Sequence, residues 1–150
     1  MRLSAEIPEN YHIVLVGLNK AQQTNLPKNI TGISRTESVQ ELASLYAAAD
    51  VFVNPTYVDN FPTTNIEALA CGTPVITYDT GGSPEAISET TGLTVRKGDI
   101  PGLMESIQLF CENGKDHYSS ACRNRAETLY DKNERFNDYI NLFRSLLLNI

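Results

Sequence analysis

The chain has 150 residues, 41% of them hydrophobic and 20% charged, which is the size and make-up of one soluble globular domain with a real core. Its net charge of -6, with no Lys/Arg cluster to track phosphates, argues against nucleic acid as the main partner and against an anionic membrane surface. No apolar run approaches the ~20 residues of a membrane span, the opening MRLSAEIPEN lacks the apolar core of a signal peptide, and Cys71, Cys111 and Cys122, without CxxC spacing, predict a reduced, cytoplasmic compartment in which each is a small core hydrophobe.

In chain order, Tyr11 to Gly17 (YHIVLVG) is a β-branched apolar run ending in glycine and predicts a buried strand. Asn29 to Ile33 predicts a weaker one. Glu37 to Ala49 places Val39, Leu42, Leu45 and Tyr46 on one helical face, and Val51 to Val53 is a strand stopped by Asn54-Pro55. A short helix follows, with Pro62 suited to its first position and Gly72 and Pro74 ending it. Val75 to Tyr78 and Leu93 to Arg96 are the remaining strands, and helices follow at about 101–112, 118–129 and 134–148. Strands alternating with helices predict an α/β fold, a Rossmann-like parallel sheet with helices on both faces. Ligands of such sheets sit at the carboxyl ends of the strands. The segments leaving those ends (residues 17–19, 32–36, 54–61 and 79–83) are also the most polar and glycine-rich stretches.

The segment NPTYVDNFPTTNIEALACGTPVITYDTGGSPE, residues 54–85, concentrates the chemistry. Asp59 and Glu67 stand eight residues apart across a loop-to-helix junction, where a helix N-terminus offers free N–H groups to an anion. A phosphorylated, hydroxyl-rich ligand suits that combination. Glu67 lies on a helix otherwise made of Ile66, Ala68, Leu69, Ala70 and Cys71; a lone acid there needs partners, and a ribose diol supplies two donors. The bland alternative is a solvated helix carboxylate. Asp59 has a stronger bland alternative, since Asp-Asn before a helix is ordinary turn and capping chemistry. Thr63 and Thr64 offer N–H and hydroxyl groups to a phosphate, and threonine is equally common in a first turn. Gly81-Gly82 permits a left-handed turn, with Ser83 as N-cap and Pro84 as first helical residue; turn structure alone accounts for it. Arg35, after a strand end, could lie against a base or phosphate, although a plain surface arginine is the default. His12 and His117 have no partner at metal-ligand spacing, so no metal is assigned. GxSxG, Walker A and GxGxxG are all absent, leaving serine hydrolase, P-loop ATPase and dinucleotide dehydrogenase unsupported.

On these residues the chain resembles the retaining GT-B glycosyltransferases of the glycosyl transferases group 1 family. Their C-terminal domain carries an acid, seven residues and a glutamate, then patterns like EAMACGTPV and GG-x-PE. Here these are Asp59 to Glu67, ALACGTPV at Ala68 to Val75, and GGSPE at Gly81 to Glu85, with NITGISR and ELASLYAAADVFVNP upstream. The likeness covers roughly residues 10–112. It implies a nucleotide-diphosphate sugar site, with Glu67 on the ribose hydroxyls, Asp59 near the reacting sugar carbon as the catalytic group, and Thr63 and Thr64 facing the diphosphate. Asn60, Phe61, Arg35 and Gly82 would complete the donor contacts. It also implies retention of anomeric configuration, no metal cofactor, and stabilisation of the departing diphosphate by electrostatic preorganisation. A sugar-nucleotide epimerase lacks support, because no second acid or histidine set suggests proton abstraction at a sugar carbon.

Two substitutions depart from the family pattern: Asp59 replaces the commoner, longer Glu, and the usual EGFG loop becomes DNFP, in which Pro62 has no N–H to offer. The resemblance further implies an N-terminal acceptor domain, as partner, and a basic diphosphate-gripping strand upstream of Tyr11, neither present here. The expectation is therefore the C-terminal half of a GT-B fold lacking its first strand, donor-binding but inactive alone, its full-length relative at the inner face of the membrane. The strands at Tyr11 and Val51 are expected to close the gap by pairing with each other or to borrow a neighbour, and a paired strand over residues 1–9 would refute this. Phe136, Tyr139, Ile140, Phe143, Leu146 and Leu147 form an apolar helical stripe, expected to mediate a homodimer. The alternative of another class is a non-catalytic nucleotide-binding or interaction module of the same fold.

Overall fold

The computed structural model describes residues 7–148. Twelve elements follow in order: β1 (Ile13–Val16), α1 (Lys20–Gln23), β2 (Ile30–Ile33), α2 (Val39–Ala48), β3 (Phe52–Asn54), α3 (Thr63–Ala70), β4 (Val75–Tyr78), a 3-10 turn (Ser83–Ala86), β5 (Gly92–Val95), α4 (Ile100–Asn113), α5 (Asp116–Tyr130) and α6 (Lys132–Leu148). One of these was not foreseen: α1, opened by an Asn19–Gln22 capping box; the helical start read at Ser83 and Pro84 is a 3-10 turn capped one position earlier, by Gly82. Pro62 sits one position earlier than expected, as the N-cap of α3 rather than its first residue.

Every strand pair is parallel, but the strands form two sheets, β1-β2 and β3-β4-β5. β1 and β3 are not hydrogen-bonded to each other, so the expected closure of the gap does not occur. Of residues 1–9, the first six lie outside the described residues; residues 7–9 form no strand. A related correction concerns β1. Its apolar run predicts burial, yet Val14 and Val16 are 45% and 43% exposed. With β2 as its one hydrogen-bonded neighbour among the described residues, β1 presents to solvent a surface that a fully flanked parallel strand would bury.

The core lies under the three-stranded sheet. Val75, Ile76, Thr77 and Tyr78 of β4 are all buried, as a central parallel strand requires. Ala68 and Leu69 of α3, Leu103, Ile107 and Phe110 of α4, and Cys122 and Ala126 of α5 complete the cluster. Phe110 stacks edge-on against Tyr118, with centroids 4.6 Å apart, tying α4 to α5. The small side chains of α3 allow α5 to approach closely: a Cβ on Gly72 would strike Ser119 Oγ, and its φ of +72° is the left-handed helix stop. Arg123 donates to the Ala70 carbonyl, 2.6 Å away, satisfying a terminal acceptor of α3. These contacts hold α3 rigidly with its N-terminus at the carboxyl edge of the sheet. By contrast, α6 is exposed along its whole length.

Candidate functional site at the carboxyl edge of the three-stranded sheet

The loop after β3 and the turn after β4 meet at this edge. Asp59 Oδ1 accepts the Phe61 N–H at 3.1 Å, which folds Asp59 to Phe61 into a tight turn rather than capping α3. The Gly82 N–H donates to the Asn60 carbonyl at 2.9 Å, pinning this loop to the second turn. Both glycines there are required. Gly81 has φ +53°, and an added Cβ would collide with the Asp59 carbonyl oxygen. Gly82 is in ordinary backbone, φ -88°, yet a Cβ on it would collide with the Asn60 carbonyl oxygen.

Beneath the surface a polar cluster, overlooked in the sequence, links four elements. Asn65, Thr77 and Ser83 are fully buried. Asn54 Nδ2 donates to Asn65 Oδ1 at 2.8 Å, and Asn65 Nδ2 donates to both the carbonyl and the hydroxyl oxygen of Ser83 at 3.2 Å. The Ser83 and Thr77 hydroxyls share a hydrogen bond, and Thr77 donates to the Asn54 carbonyl at 3.1 Å. No buried side-chain nitrogen or oxygen among the described residues lacks a partner. A satisfied network of this kind fixes geometry, because any shift leaves a buried group unpaired. The one sequence sign of it was Thr77, a polar side chain between Ile76 and Tyr78.

The first turn of α3 is open. Thr63 and Thr64 are exposed, Pro62 caps without a side-chain hydrogen bond, and the Asn65 N–H turns back to the Pro62 carbonyl. Among the described residues the N–H groups of Thr63 and Thr64 donate to nothing, so the positive end of the helix dipole faces solvent there. Glu67, one turn further, is half-buried, and Tyr46 donates its hydroxyl to Glu67 Oε2 at 3.2 Å. Burial, then the adjacent Glu67 charge, holds the Tyr46 phenol well above its ordinary range, so it remains a donor.

The predicted residues thus divide. Asp59, Asn60, Phe61, Thr63, Thr64 and Gly82 share one loop, turn and helix start, and Glu67 projects from the same helix. Phe61 is partly exposed and lies 6.0 Å, centroid to centroid, from Tyr130 of α5. Arg35 follows β2, in the other sheet, and is exposed, with no hydrogen bond or ion pair linking it to this group among the described residues. His12 bonds Thr31 at 2.8 Å, and among the described residues no cluster of three His, Cys, Asp or Glu is placed to hold a metal. Two further aromatic contacts flank the edge: Tyr57 packs edge-on to Tyr78, and Lys97 Nζ lies 5.2 Å from the Tyr57 ring centroid.

Parallel sheets with a helix N-terminus and glycine turns at one carboxyl edge are the layout of a Rossmann-like ligand-binding domain. Residues 1–113 match the family model described as glycosyl transferases group 1, and the chain belongs to that family. Among curated relatives, an α-1,3-N-acetylgalactosaminyltransferase of Campylobacter jejuni, named for an N,N'-diacetylbacillosaminyl-diphospho-undecaprenol substrate, is 31% identical over 112 residues, covering 73% of this chain and 30% of its own. A GDP-mannose-dependent phosphatidylinositol monomannoside mannosyltransferase of Corynebacterium glutamicum is 35% identical over 91 residues, 56% of this chain and 24% of its own. The chain therefore spans under a third of the length of these relatives. In fold, it superposes on Anabaena HepE solved with UDP at a TM-score of 0.82, with 21% identity, over 96% of this chain and 43% of that one. It also superposes on the sucrose-phosphate synthase of Thermosynechococcus elongatus at 0.78, with 24% identity, over 99% and 49%. No helix among the described residues is long and apolar enough to cross a membrane.

Proposed function

We propose that the chain is the donor-binding half of a retaining glycosyltransferase, holding a nucleotide-diphosphate sugar at the carboxyl edge of β3 and β4. The observation that carries this reading is the open first turn of α3, fixed by the buried Asn65 cluster, one turn above a half-buried carboxylate. Free N–H groups of Thr63 and Thr64 with their hydroxyls suit the diphosphate. Glu67 accepts from the ribose hydroxyls. Asp59, held in its turn by the Phe61 N–H, is the carboxylate we place near the reacting sugar carbon. Gly82 and Asn60 shape the wall, and Phe61 offers a ring. Arg35, leaving the carboxyl end of β2, stays a candidate for the base or a phosphate.

A structural neighbour solved with UDP-glucose supports a nucleotide-sugar ligand for this architecture. Relatives named for diphospho-undecaprenol and phosphatidylinositol substrates support a lipid-linked or glycan acceptor, a role in polysaccharide or glycolipid assembly, and a site at the inner face of the membrane. Transfer would use no bound metal and would require an acceptor domain docked beside this one. For the 150-residue chain by itself, we propose self-association through α6. Phe136, Tyr139 and Phe143 are each more than 60% exposed, with Ile140, Leu142, Leu146 and Leu147 beside them. Covering three rings of ~150–250 Å² each and four aliphatic side chains approaches the ~800 Å² per partner of a stable interface.

Calorimetric titration of UDP-, GDP- and ADP-sugars tests the donor reading. One of them binds, and Glu67→Ala weakens it at least tenfold. If none binds at millimolar concentration, the alternative stands, a non-catalytic interaction module of the same fold. Adding an N-terminal acceptor domain in trans and assaying sugar transfer then asks whether activity returns.

A further inference from the structure

Glu67 is held from below by a side chain that the donor reading does not use. Tyr46 lies in the last turn of α2 and is 9% exposed. Its backbone is locked: the Tyr46 carbonyl accepts the buried Thr73 hydroxyl at 2.6 Å and Lys115 Nζ at 3.2 Å. Its ring packs edge-on against Phe52 of β3, centroids 5.2 Å apart. The phenol oxygen has one hydrogen-bond partner among the described residues, Glu67 Oε2. A rigidly mounted donor therefore meets one oxygen of a carboxylate that otherwise has several rotamers on a helix surface.

We propose that Tyr46 is a positioning residue that sets the discrimination between ribose and deoxyribose: its hydroxyl occupies Glu67 Oε2 and orients the carboxylate so that Oε1 meets the 2′-hydroxyl of the bound nucleotide. The ligand class is a ribonucleoside diphosphate. The inference rests on the donor reading above, since it needs Glu67 on the ribose. Without the phenol, Glu67 loses a charge-assisted partner and spreads over orientations, so its bond to the 2′-hydroxyl weakens while diphosphate contacts at Thr63 and Thr64 are untouched.

The test uses the full chain and whichever of UDP, GDP and ADP binds most tightly, with its 2′-deoxy counterpart. The wild-type protein prefers the ribonucleotide by about tenfold, the worth of one hydrogen bond to a charged group. Tyr46→Phe retains the ring on Phe52 and thus the fold, which its thermal unfolding checks. Its preference falls below about threefold, through loss of ribonucleotide affinity, while affinity for the 2′-deoxy nucleotide stays within about twofold of wild type. A merely structural role would weaken both ligands together. If Glu67→Gln erases the preference and Tyr46→Phe leaves it intact, the positioning role is overturned and the donor reading survives. If wild type shows no preference, or no binding, the ribose assignment of Glu67 falls and the Tyr46 role with it.

Discussion

Gly81 and Asn65 show how single residues hold this site. At Gly81 the left-handed backbone and the closeness of the Asp59 carbonyl both forbid a Cβ, so Gly81→Ala must move the Asp59–Phe61 loop or the turn. Urea unfolding should show a loss of ~1–3 kcal/mol, with nucleotide affinity falling too. Asn65→Ala strands the Asn54 amide and the Ser83 acceptors in a buried setting, and should cost ~1–3 kcal/mol. Full stability in either variant would mean that the loop is not pinned as described. Cys122 supplies a pH test. Burial pushes its thiol up to about 11, from an ordinary 9.0. Because its folded pKa is raised, the stability tied to the neutral thiol is complete below pH 9 and is lost as pH rises through about 11. Urea midpoints should therefore decline from pH 8.5 to 10.5, and less steeply in Cys122→Ala; equal slopes would contradict that origin.

At the scale of elements, long periodic segments were legible and contextual ones were not. β4 falls on the predicted residues, and α4, α5 and α6 within two positions, because a β-branched, apolar-rich strand and a 3.6-residue stripe are local signals. The 3-10 turn and α1 span four residues each, too few to carry a period. β1 misled for a different reason: apolar composition reports what a strand is built to bury, and its exposure depends on neighbours elsewhere in space. The same holds for α6, whose stripe was legible while its lack of cover among the described residues was not. Its exposed rings predict that sedimentation at high micromolar concentration gives a dimer, which Phe143→Glu converts to monomer by placing a charge in the contact. A wild-type monomer under those conditions would contradict self-association.

For the whole molecule, the family could be read from ALACGTPV and GGSPE because those motifs are contiguous in sequence. The cluster of Asn54, Asn65, Thr77 and Ser83 could not, since its members come from separate elements and look like ordinary turn or strand polars until the fold buries them. Tyr46 was legible only as one of four residues on a helical face; that its hydroxyl reaches Glu67, twenty-one positions on, is a tertiary fact. The two unjoined sheets bear on competence. The donor edge is built wholly on β3-β4-β5, with its own core, and so should bind nucleotide while β1-β2 stands apart from it in hydrogen bonding. The most direct measurement is amide chemical-shift mapping by NMR of the 150-residue chain titrated with the nucleoside diphosphates. The donor-edge account predicts saturable shifts at Asn60, Phe61, Thr63, Thr64, Glu67 and Gly82, while the amides of Asn10, Tyr11, Ile107 and Gln108, which line a separate cleft between the segment before β1 and α4, stay silent. Shifts confined to that cleft, or none at millimolar nucleotide, would contradict it.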